Sequence, residues 1–240
     1  MGGASRPRRI LVLANAWDAA AHGLAGEADG ADVVIATPRD LSRVGWRYWL
    51  DTPGDTLTVA GGEILPATQI GCVLTRLSGV SEADLPHIAG EDRAYVAAEM
   101  TAFLLALLAG FERPVVNRPT PSCLCGPHRS DAGWRRMAIE LGLRAAPLSL
   151  TAACGQPREP EPDPNIVTVV GKTAFGAEGP AQAKAAVALA RGADADLLTV
   201  AFASNDPGAI LRAHPHVDLT DAGTALAVRD YCAHMAETAA

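Results

Sequence analysis

The first forty residues constrain the fold most, because strand-like and helix-like patterns alternate there. A short apolar run from Ile10 to Ala14 is followed by an Ala-rich helical stretch from Trp17 to about Glu27. A second apolar run, Asp32 to Thr37, ends at Pro38. This order of strand, helix and strand is typical of a parallel α/β fold.

The chain continues with further elements of both kinds up to about residue 150. Helical spacing of apolar side chains predicts a helix that Gly110 ends, and Ser130 or Asp131 can cap a later helix. The other signals are a paired glycine in a hairpin and short apolar runs. These predicted elements are a hairpin around Gly61-Gly62, a buried strand Cys72 to Leu77, a helix between Glu91 and Gly110, a strand Pro114 to Pro119, and a helix ending near Leu141.

A proline-rich stretch, Gly155 to Asn165, divides the chain. Its prolines alternate with charged residues, a pattern that predicts a stiff, extended, solvated linker. Beyond it the sequence predicts a second hairpin, a helix, a buried strand and a terminal helix. Their ranges are Ile166 to Ala177, Gln182 to Arg191, Asp196 to Ala203 and Ala222 to Glu237.

Charge and cysteine content exclude several classes of function. Asp and Glu number 27 against 20 Lys and Arg, which gives a net charge of −7. With no long basic run to offset it, this balance predicts no nucleic-acid partner and no membrane partner. Five cysteines, an odd number, fit a reducing compartment better than a disulfide framework, so we expect a cytoplasmic protein.

Two nucleotide-binding motifs are excluded by the residues present. Gly171-Lys172-Thr173 resembles the end of a phosphate-binding P-loop, but Ile166 stands where that loop needs a glycine. After the first predicted strand, Asn15 to Asp18 replaces the closely spaced glycines of a dinucleotide site. The Gly171 segment is therefore predicted to be a hairpin turn, and no NAD site is expected.

One loop offers a candidate metal site. Cys123, Cys125 and His128 could supply three ligands for zinc or another metal, although zinc motifs usually separate their cysteines by two or more residues. The alternative interpretation is a loop with two small buried cysteines. Both interpretations stay open at this point.

Three of the chain's few aromatic residues lie close together in Trp46-Arg47-Tyr48-Trp49. Loops that follow strands in an α/β sheet line the ligand crevice, so this cluster could form its wall. It could equally anchor a loop on the hydrophobic core.

Several segments in the first 150 residues together resemble one known domain, the pre-ATP-grasp domain of the ATP-grasp superfamily. The resemblance is to the branch of peptide and amino-acid ligases that modify graspetides and related natural products. It implies a Rossmann-like domain with a parallel sheet. The segments are Asp40 to Trp49, Val73 to Leu77, Asp92 to Leu108, Val115 to Pro119, Gly126-Pro127-His128, Trp134, and Gly142 to Pro147.

The last part of the chain resembles the end of an ATP-grasp core. Asn165 to Ala177 and Gln182 to Phe202 look like the strand pair, helix and strand that close it. The resemblance implies a pre-ATP-grasp domain at 1–150, a linker at 151–164, and a reduced α+β remnant at 165–240 packed on the first domain.

The chain departs from the family where the nucleotide would bind. The family's lid subdomain carries lysines for the phosphates, whereas Thr151 to Pro164 contains none. The family also has magnesium-binding acidic and Asn residues near its end, and here only Asn205-Asp206 could imitate them. We therefore expect no cofactor and no productive binding of ATP and magnesium, because phosphoryl transfer depends on such cations.

These observations predict a degenerate ATP-grasp-like protein that acts as a non-catalytic binding or accessory subunit in peptide or natural-product modification. The predicted ligand is a small carboxylate or peptide, with arginines as anion receptors, aromatic rings as a wall and Asn117 as a loop-fixing amide. The candidate residues are Arg47, Tyr48, Trp49, Arg76, Asn117 and Arg118.

Two enzymatic alternatives remain, so activity is left open. One is a divergent ATP-dependent carboxylate–amine ligase that a partner chain completes, and the other is a metal-dependent enzyme built on Cys123, Cys125 and His128. Loss of the lid is expected to expose the apolar side of Ile166 to Val170 and Leu197 to Phe202. An exposed face of that kind predicts a protein partner, either a second copy or an active ATP-grasp ligase.

Overall fold

The computed structural model describes residues 9–26, 32–43, 46–49, 56–148 and 163–238. The chain forms two compact units, the first comprising Met1–Gly126 with Asp218–Ala240 and the second Pro127–Val217. The predicted linker at 151–164 lies almost wholly outside the described residues.

Unit 1 contains a parallel sheet of four strands, as the opening of the sequence predicts. Its strands are β1 (Arg9–Leu13), β2 (Val33–Ala36), β5 (Ile70–Thr75) and β6 (Val115–Val116). They lie in the order β2-β1-β5-β6, and every neighbouring pair is parallel. A separate hairpin joins β3 (Thr56–Thr58) to β4 (Ile64–Pro66).

Four helices belong to unit 1: α1 (Ala19–Gly26), α2 (Pro38–Leu41), α3 (Arg93–Gly110) and α6 (Ala222–Thr238). The C-terminal helix α6 packs against β5 and β1. The boundaries of the compact units therefore differ from those of the predicted domains at 1–150 and 165–240. Helix α6, near the end of the chain, packs on the sheet that the first residues form.

The helix α3 supplies much of the core of unit 1. By length and composition alone it could cross a membrane. Its Leu104, Leu107 and Leu108 are buried with Leu11 and Val73 of the sheet. These contacts are those of a core helix, and they fit the helical spacing that predicts it.

Unit 2 is built on an antiparallel sheet of four strands, in the order β10-β9-β7-β8. The strands are β7 (Asn165–Val170), β8 (Thr173–Phe175), β9 (Leu197–Ala203) and β10 (Asp206–His214). Helix α4 (Asp131–Glu140) packs against β10, and α5 (Pro180–Gly192) packs against β7 and β8. The mixed α/β class, with a parallel sheet and a second α+β part, is confirmed.

Local signals in unit 2 explain its turns. Ser130 caps α4 by accepting a hydrogen bond from the Gly133 amide, and Gly171 takes a positive φ of 58° in the turn between β7 and β8. The Gly171-Lys172 segment is thus a hairpin turn, as predicted. Strand β10 is missed by sequence reasoning, because Pro207 and Gly208 break the apolar pattern and the register shifts twice along it.

The predicted exposed sheet face is wrong for the residues that the structure describes. Every residue of β9 is buried, and Val167 to Val170 of β7 are buried as well. Only Ile166 in these strands is exposed, at 45% of its surface. The burial of small and apolar side chains on both sides of β9 removes the patch on which the expected partner contact depended.

Candidate binding site

The carboxyl ends of the parallel strands in unit 1 place several polar side chains together. The chain passes from β1 to β2 on one side and later returns to β5 on the other side of β1. In α/β sheets, ligands bind outside the carboxyl ends of strands at such a reversal. We call this region the carboxyl edge, and it comprises Asn15, Asp18, Arg76, Asn117 and Arg118.

A buried ion pair occupies the centre of the carboxyl edge. Arg76 Nε lies 2.6 Å from Asp18 Oδ2, and the two side chains are 6% and 15% exposed. The Arg76 amide donates to Leu13 O at 2.8 Å, and Asp18 Oδ1 accepts from the Ala21 amide at 3.0 Å in α1. The guanidinium predicted to receive a ligand's anion is therefore already neutralised by a carboxylate of the chain.

Asn117 joins the end of β6 to the loop that follows it. Its side chain is buried, and Nδ2 donates to Cys125 O at 3.2 Å. Gly126 has a φ of +119°, and a Cβ there would lie 2.6 Å from Asn117 Cβ. The neighbouring Arg118 is exposed. The edge thus presents one exposed cation beside a fixed amide.

The same loop brings two thiols into contact. Cys123 Sγ lies 3.4 Å from Cys125 Sγ, and both residues are buried. The hydrogen bond with Cys123, followed by burial, raises the pKa of the Cys125 thiol. Cys125 is therefore protonated at neutral pH, and a protonated thiol is a poor metal ligand and a poor nucleophile.

The predicted three-ligand metal site is not assembled. Among the described residues, no group of three or more His, Cys, Asp or Glu side chains could hold a metal ion. Cys123 and Cys125 are buried against each other in unit 1, whereas His128 is exposed and belongs to unit 2. The interpretation of the loop as two small buried cysteines fits these contacts.

The aromatic segment Arg47-Tyr48-Trp49 lies elsewhere in unit 1. The Tyr48 ring packs edge-on against Phe103 at 6.1 Å, and its hydroxyl donates to Ala106 O at 3.3 Å. Both contacts are in the C-terminal half of α3, which leads to the beginning of β6 rather than to its carboxyl end.

The other two residues of this segment face solvent. Arg47 is held by paired backbone hydrogen bonds with Thr56, each 2.9 Å long, and its side chain is exposed. Trp49 is 57% exposed. The structure therefore separates the predicted aromatic wall from Arg76, Asn117 and Arg118, and Tyr48 anchors a loop on the core.

Sequence reasoning missed two residues of the carboxyl edge, Asn15 and Asp18, as well as Thr75 at the end of β5. Asp18 was visible as the first acid after β1, yet its partner Arg76 lies 58 residues away, so only the topology joins them. The Asn15 Oδ1 and Thr75 Oγ1 atoms are buried and have no hydrogen-bond partner among the described residues. Buried polar atoms of this kind usually require a water or a ligand group.

Unit 2 contributes few groups that could support chemistry on a nucleotide. Strand β9 has no acidic residue. Asp206, at the start of β10, pairs with Arg144 at 3.0 Å and accepts from the Gly208 amide at 3.2 Å, which caps its own turn. Lys172 and Lys184 are both exposed.

Comparison with solved structures reveals the same architecture in three ligases. The macrocyclase MdnC of Microcystis aeruginosa MRC, bound with precursor peptide MdnA, aligns with a TM-score of 0.60 at 12% identity over 97% of this chain and 100% of its own. The macrocyclase MdnB of the same organism aligns with a TM-score of 0.56 at 13% identity, over 93% of this chain and 98% of its own. This chain has an ATP-grasp-like fold.

The third structure extends the comparison to another organism. A RiPP-associated ATP-grasp ligase of Chryseobacterium gregarium, in complex with ADP and a leader and core peptide, aligns with a TM-score of 0.58 at 9% identity. The alignment covers 95% of this chain and 97% of the ligase. No protein-family model and no curated protein sequence matches the chain. The ATP-grasp-like assignment thus concerns the fold, and it bears out the resemblance that the sequence motifs indicate.

Proposed function

We propose that this ATP-grasp-like chain is a non-catalytic, peptide-binding accessory protein in peptide or natural-product modification. Two of the solved structures that share its fold hold precursor, leader or core peptides. Fold alone does not determine function, so the proposal depends on the chain's own residues.

The observation that carries the proposal is that the part of the chain described by the structure lacks a gathered set of charged groups for phosphoryl transfer. Formation of an acyl phosphate requires cations, often metal ions held by carboxylates, around the transferred phosphoryl group. In the described ranges, no three acidic, His or Cys side chains are gathered for a metal, and β9 has no acid. Asp206 is engaged by Arg144. A ligase of this fold would lack most of its electrostatic stabilisation of the transition state.

The ligand proposed for the carboxyl edge is a peptide. Arg118 is exposed there and can pair with a carboxylate, while Asn117 and the Arg76–Asp18 pair provide a rigid polar floor. The exposed side chains of Arg47 and Trp49 offer a second, separate contact for the same kind of ligand. The proposed partner in the pathway is an active ATP-grasp ligase, which carries out the chemistry.

Nucleotide binding tests the non-catalytic part of the proposal. The full chain is heated with increasing MgATP, and we expect no saturable rise in melting temperature. Ligand at one hundred times its Kd would stabilise the fold by about 2.7 kcal/mol, so binding would be visible. An active ATP-grasp ligase run in parallel is the positive control. Saturable stabilisation at micromolar MgATP, or ADP release on adding peptide, would support the ligase alternative instead.

Peptide binding tests the other part. Peptides encoded by small reading frames beside the gene are titrated against the full chain by fluorescence anisotropy. Arg118→Ala is expected to weaken binding, because it removes the exposed cation of the carboxyl edge, whereas the matched control Arg191→Ala in unit 2 is expected to have no effect. Equal effects of the two substitutions would reject the carboxyl edge as the peptide site.

A further inference from the structure

A cluster of arginines surrounds His87 in unit 1. Arg39 lies in α2, Arg43 follows that helix, and Arg93 begins α3. We call Arg39, Arg43 and Arg93 the arginine cluster. Because α2 follows the carboxyl end of β2, the arginine cluster lies at the same edge of the sheet as the carboxyl edge. It follows β2, however, whereas the carboxyl edge follows β1, β5 and β6.

Hydrogen bonds bring together the two segments that carry these arginines. Ser42 Oγ lies 2.7 Å from His87 Nε2 and also donates to Arg39 O at 2.9 Å, so the His87 ring rests beside the end of α2. Arg93 holds the residue after His87, because its Nη2 and Nε donate to Ile88 O at 3.0 and 3.2 Å. Two segments distant in sequence thereby place their arginines around one imidazole.

The positive charge of the cluster is not compensated by the described residues. None of their carboxylates lies within the 4.0 Å of an ion pair with Arg39, Arg43 or Arg93, and Arg39 and Arg43 are exposed. Partial desolvation and the charges of the three arginines lower the pKa of His87. A positive patch of this kind is notable in a chain with a net charge of −7.

Of the acidic side chains near the cluster in sequence, Glu91 and Asp92 are exposed and directly precede Arg93, without an ion pair to it, whereas Asp40 and Asp84 cap short helices. Asp40 is buried, and its Oδ2 accepts from the Thr37 amide and hydroxyl at 3.0 and 2.6 Å. Asp84 is buried too, and its Oδ2 accepts from the Ser81 amide and hydroxyl at 2.8 and 2.7 Å. Asp40 and Asp84 are thus engaged within their own turns, and neither forms an ion pair with the cluster.

We propose that the arginine cluster binds an acidic segment of a peptide through the carboxylates of its Asp or Glu side chains. Two nitrogens of Arg93 donate to the backbone carbonyl of Ile88, so Arg93 acts as a fixed support. Arg39 and Arg43 keep their full guanidinium forks for bidentate pairs with separate carboxylates. This arrangement favours a chain of carboxylates over one compact oxyanion. The inference rests on the proposed function as a peptide-binding protein.

The test uses a short fluorescein-labelled oligoglutamate peptide and its oligoglutamine counterpart, with the full chain and fluorescence anisotropy. We expect the oligoglutamate to bind, the oligoglutamine not to bind, and added salt to weaken the complex. Arg39→Gln with Arg43→Gln is expected to weaken binding by about fivefold or more, since each exposed pair contributes modestly. The Arg39→Lys, Arg43→Lys variant, which keeps the charge but loses the bidentate fork, should be intermediate.

The control removes the same charge from unit 2. Lys184→Gln with Arg191→Gln lowers the net charge equally, and we expect it to leave oligoglutamate binding unchanged. If this control weakens binding as much as the cluster variant, the effect is one of net charge and the proposal is overturned. Equal affinity for the two peptides would overturn it as well.

Inorganic phosphate distinguishes a peptide site from a site for a single oxyanion. If phosphate displaces oligoglutamate and binds at least as tightly, with the same dependence on Arg39 and Arg43, the peptide assignment is overturned. A two-dimensional NMR titration of the His87 ring adds a local readout: oligoglutamate should raise its pKa, because bound carboxylates offset the arginine charges. The MgATP experiment tests the proposed function independently of this one. If the chain binds both MgATP and oligoglutamate, the non-catalytic function is refuted and this inference still holds.

Discussion

Two buried arginines, Arg76 in unit 1 and Arg135 in unit 2, show how differently the two units use the same side chain. Arg76 pairs with Asp18 at the carboxyl edge, next to buried polar atoms that have no partner among the described residues. Arg135 donates instead to the backbone carbonyls of Leu211, Ala146 and Pro147. One arginine is part of a polar edge, and the other fastens chain segments together.

The difference between the two arginines reflects the strand directions in the two units, which decide where polar side chains gather. In unit 1 the strands are parallel, so the loops after them meet at one edge and collect side chains from distant segments. In unit 2 the strands are antiparallel, their turns alternate between ends, and Arg144, Asp206 and Arg135 serve turns and carbonyls. Both proposed binding sites therefore lie in unit 1.

The largest expected effect comes from cutting the chain inside unit 2. A fragment of residues 165–240 lacks α4, whose Trp134 and Ala138 belong to the core of unit 2, and it keeps α6, which packs in unit 1. We expect this fragment to show no cooperative unfolding transition by circular dichroism. A fragment of residues 127–217 keeps the whole core and is the control, which we expect to unfold cooperatively. A cooperative transition in the shorter fragment would contradict the division into units.

The next effect comes from breaking the buried ion pair of unit 1. Asp18→Ala leaves the Arg76 guanidinium buried and uncompensated, which commonly costs about 3 to 5 kcal/mol of unfolding free energy. Urea denaturation measures the loss. Arg136→Ala removes the exposed pair with Glu140 in unit 2, and we expect no measurable change. Replacing both residues, as Asp18→Leu with Arg76→Met, should recover part of the lost stability, and failure to do so would show that the pair has a different role.

A glycine in each unit allows backbone strain to be separated from a clash. Gly126→Ala places a Cβ 2.6 Å from Asn117 Cβ at a φ of +119°, and we expect a loss of about 3 kcal/mol. Gly142 has a φ of +73° and nothing within 4 Å of its Cβ position, so Gly142→Ala should cost only about 1 to 2 kcal/mol. Urea denaturation measures both losses of unfolding free energy. Similar losses for the two variants would mean that Asn117 can move away from a Cβ at residue 126.

The smallest effect concerns pH and the thiols of unit 1. Burial and the Cys123 hydrogen bond raise the pKa of Cys125 above that of the unfolded chain. As pH rises, Cys125 therefore loses its proton in the unfolded chain before it does so in the folded chain. The contribution of Cys125 to the free energy of unfolding is fully present below about pH 8.5. Above that pH it falls by up to about 1.4 kcal/mol per pH unit. Urea denaturation between neutral pH and pH about 10 measures this slope. Cys125→Ala should flatten it, whereas Cys232→Ala in α6 is a control for removing a buried thiol.

Much of the fold follows from local signals. Apolar periodicity, the Ser130 cap and the glycine turns predict nearly every element close to its observed bounds. The short helix α2 and strand β10 are exceptions, and β10 is missed because its pairing with β9 depends on long-range hydrogen bonds that tolerate Pro207 and Gly208. Local pattern cannot reveal a strand whose own sequence resembles a turn.

The candidate site is less predictable than the fold. Residue type identifies Arg76 and Asn117 as polar residues at strand ends, but their partners Asp18 and Cys125 are set by the topology and by the path of a loop. The Tyr48 segment follows β2 in sequence, yet it packs on the far half of α3. Sequence can therefore name polar residues at strand ends, whereas their grouping is a property of the assembled sheet.

The close approach of Gly126 to Asn117 has a consequence for how this chain can change over evolutionary time. A side chain at residue 126 would collide with Asn117, because a Cβ at residue 126 would lie only 2.9 Å from Asn117 Nδ2. A lineage that keeps Asn117 must keep the glycine, but one that loses the amide does not thereby free residue 126, because its φ of +119° disfavours any side chain. Residue 126 should therefore stay glycine in related sequences that preserve this loop, whatever residue stands at 117.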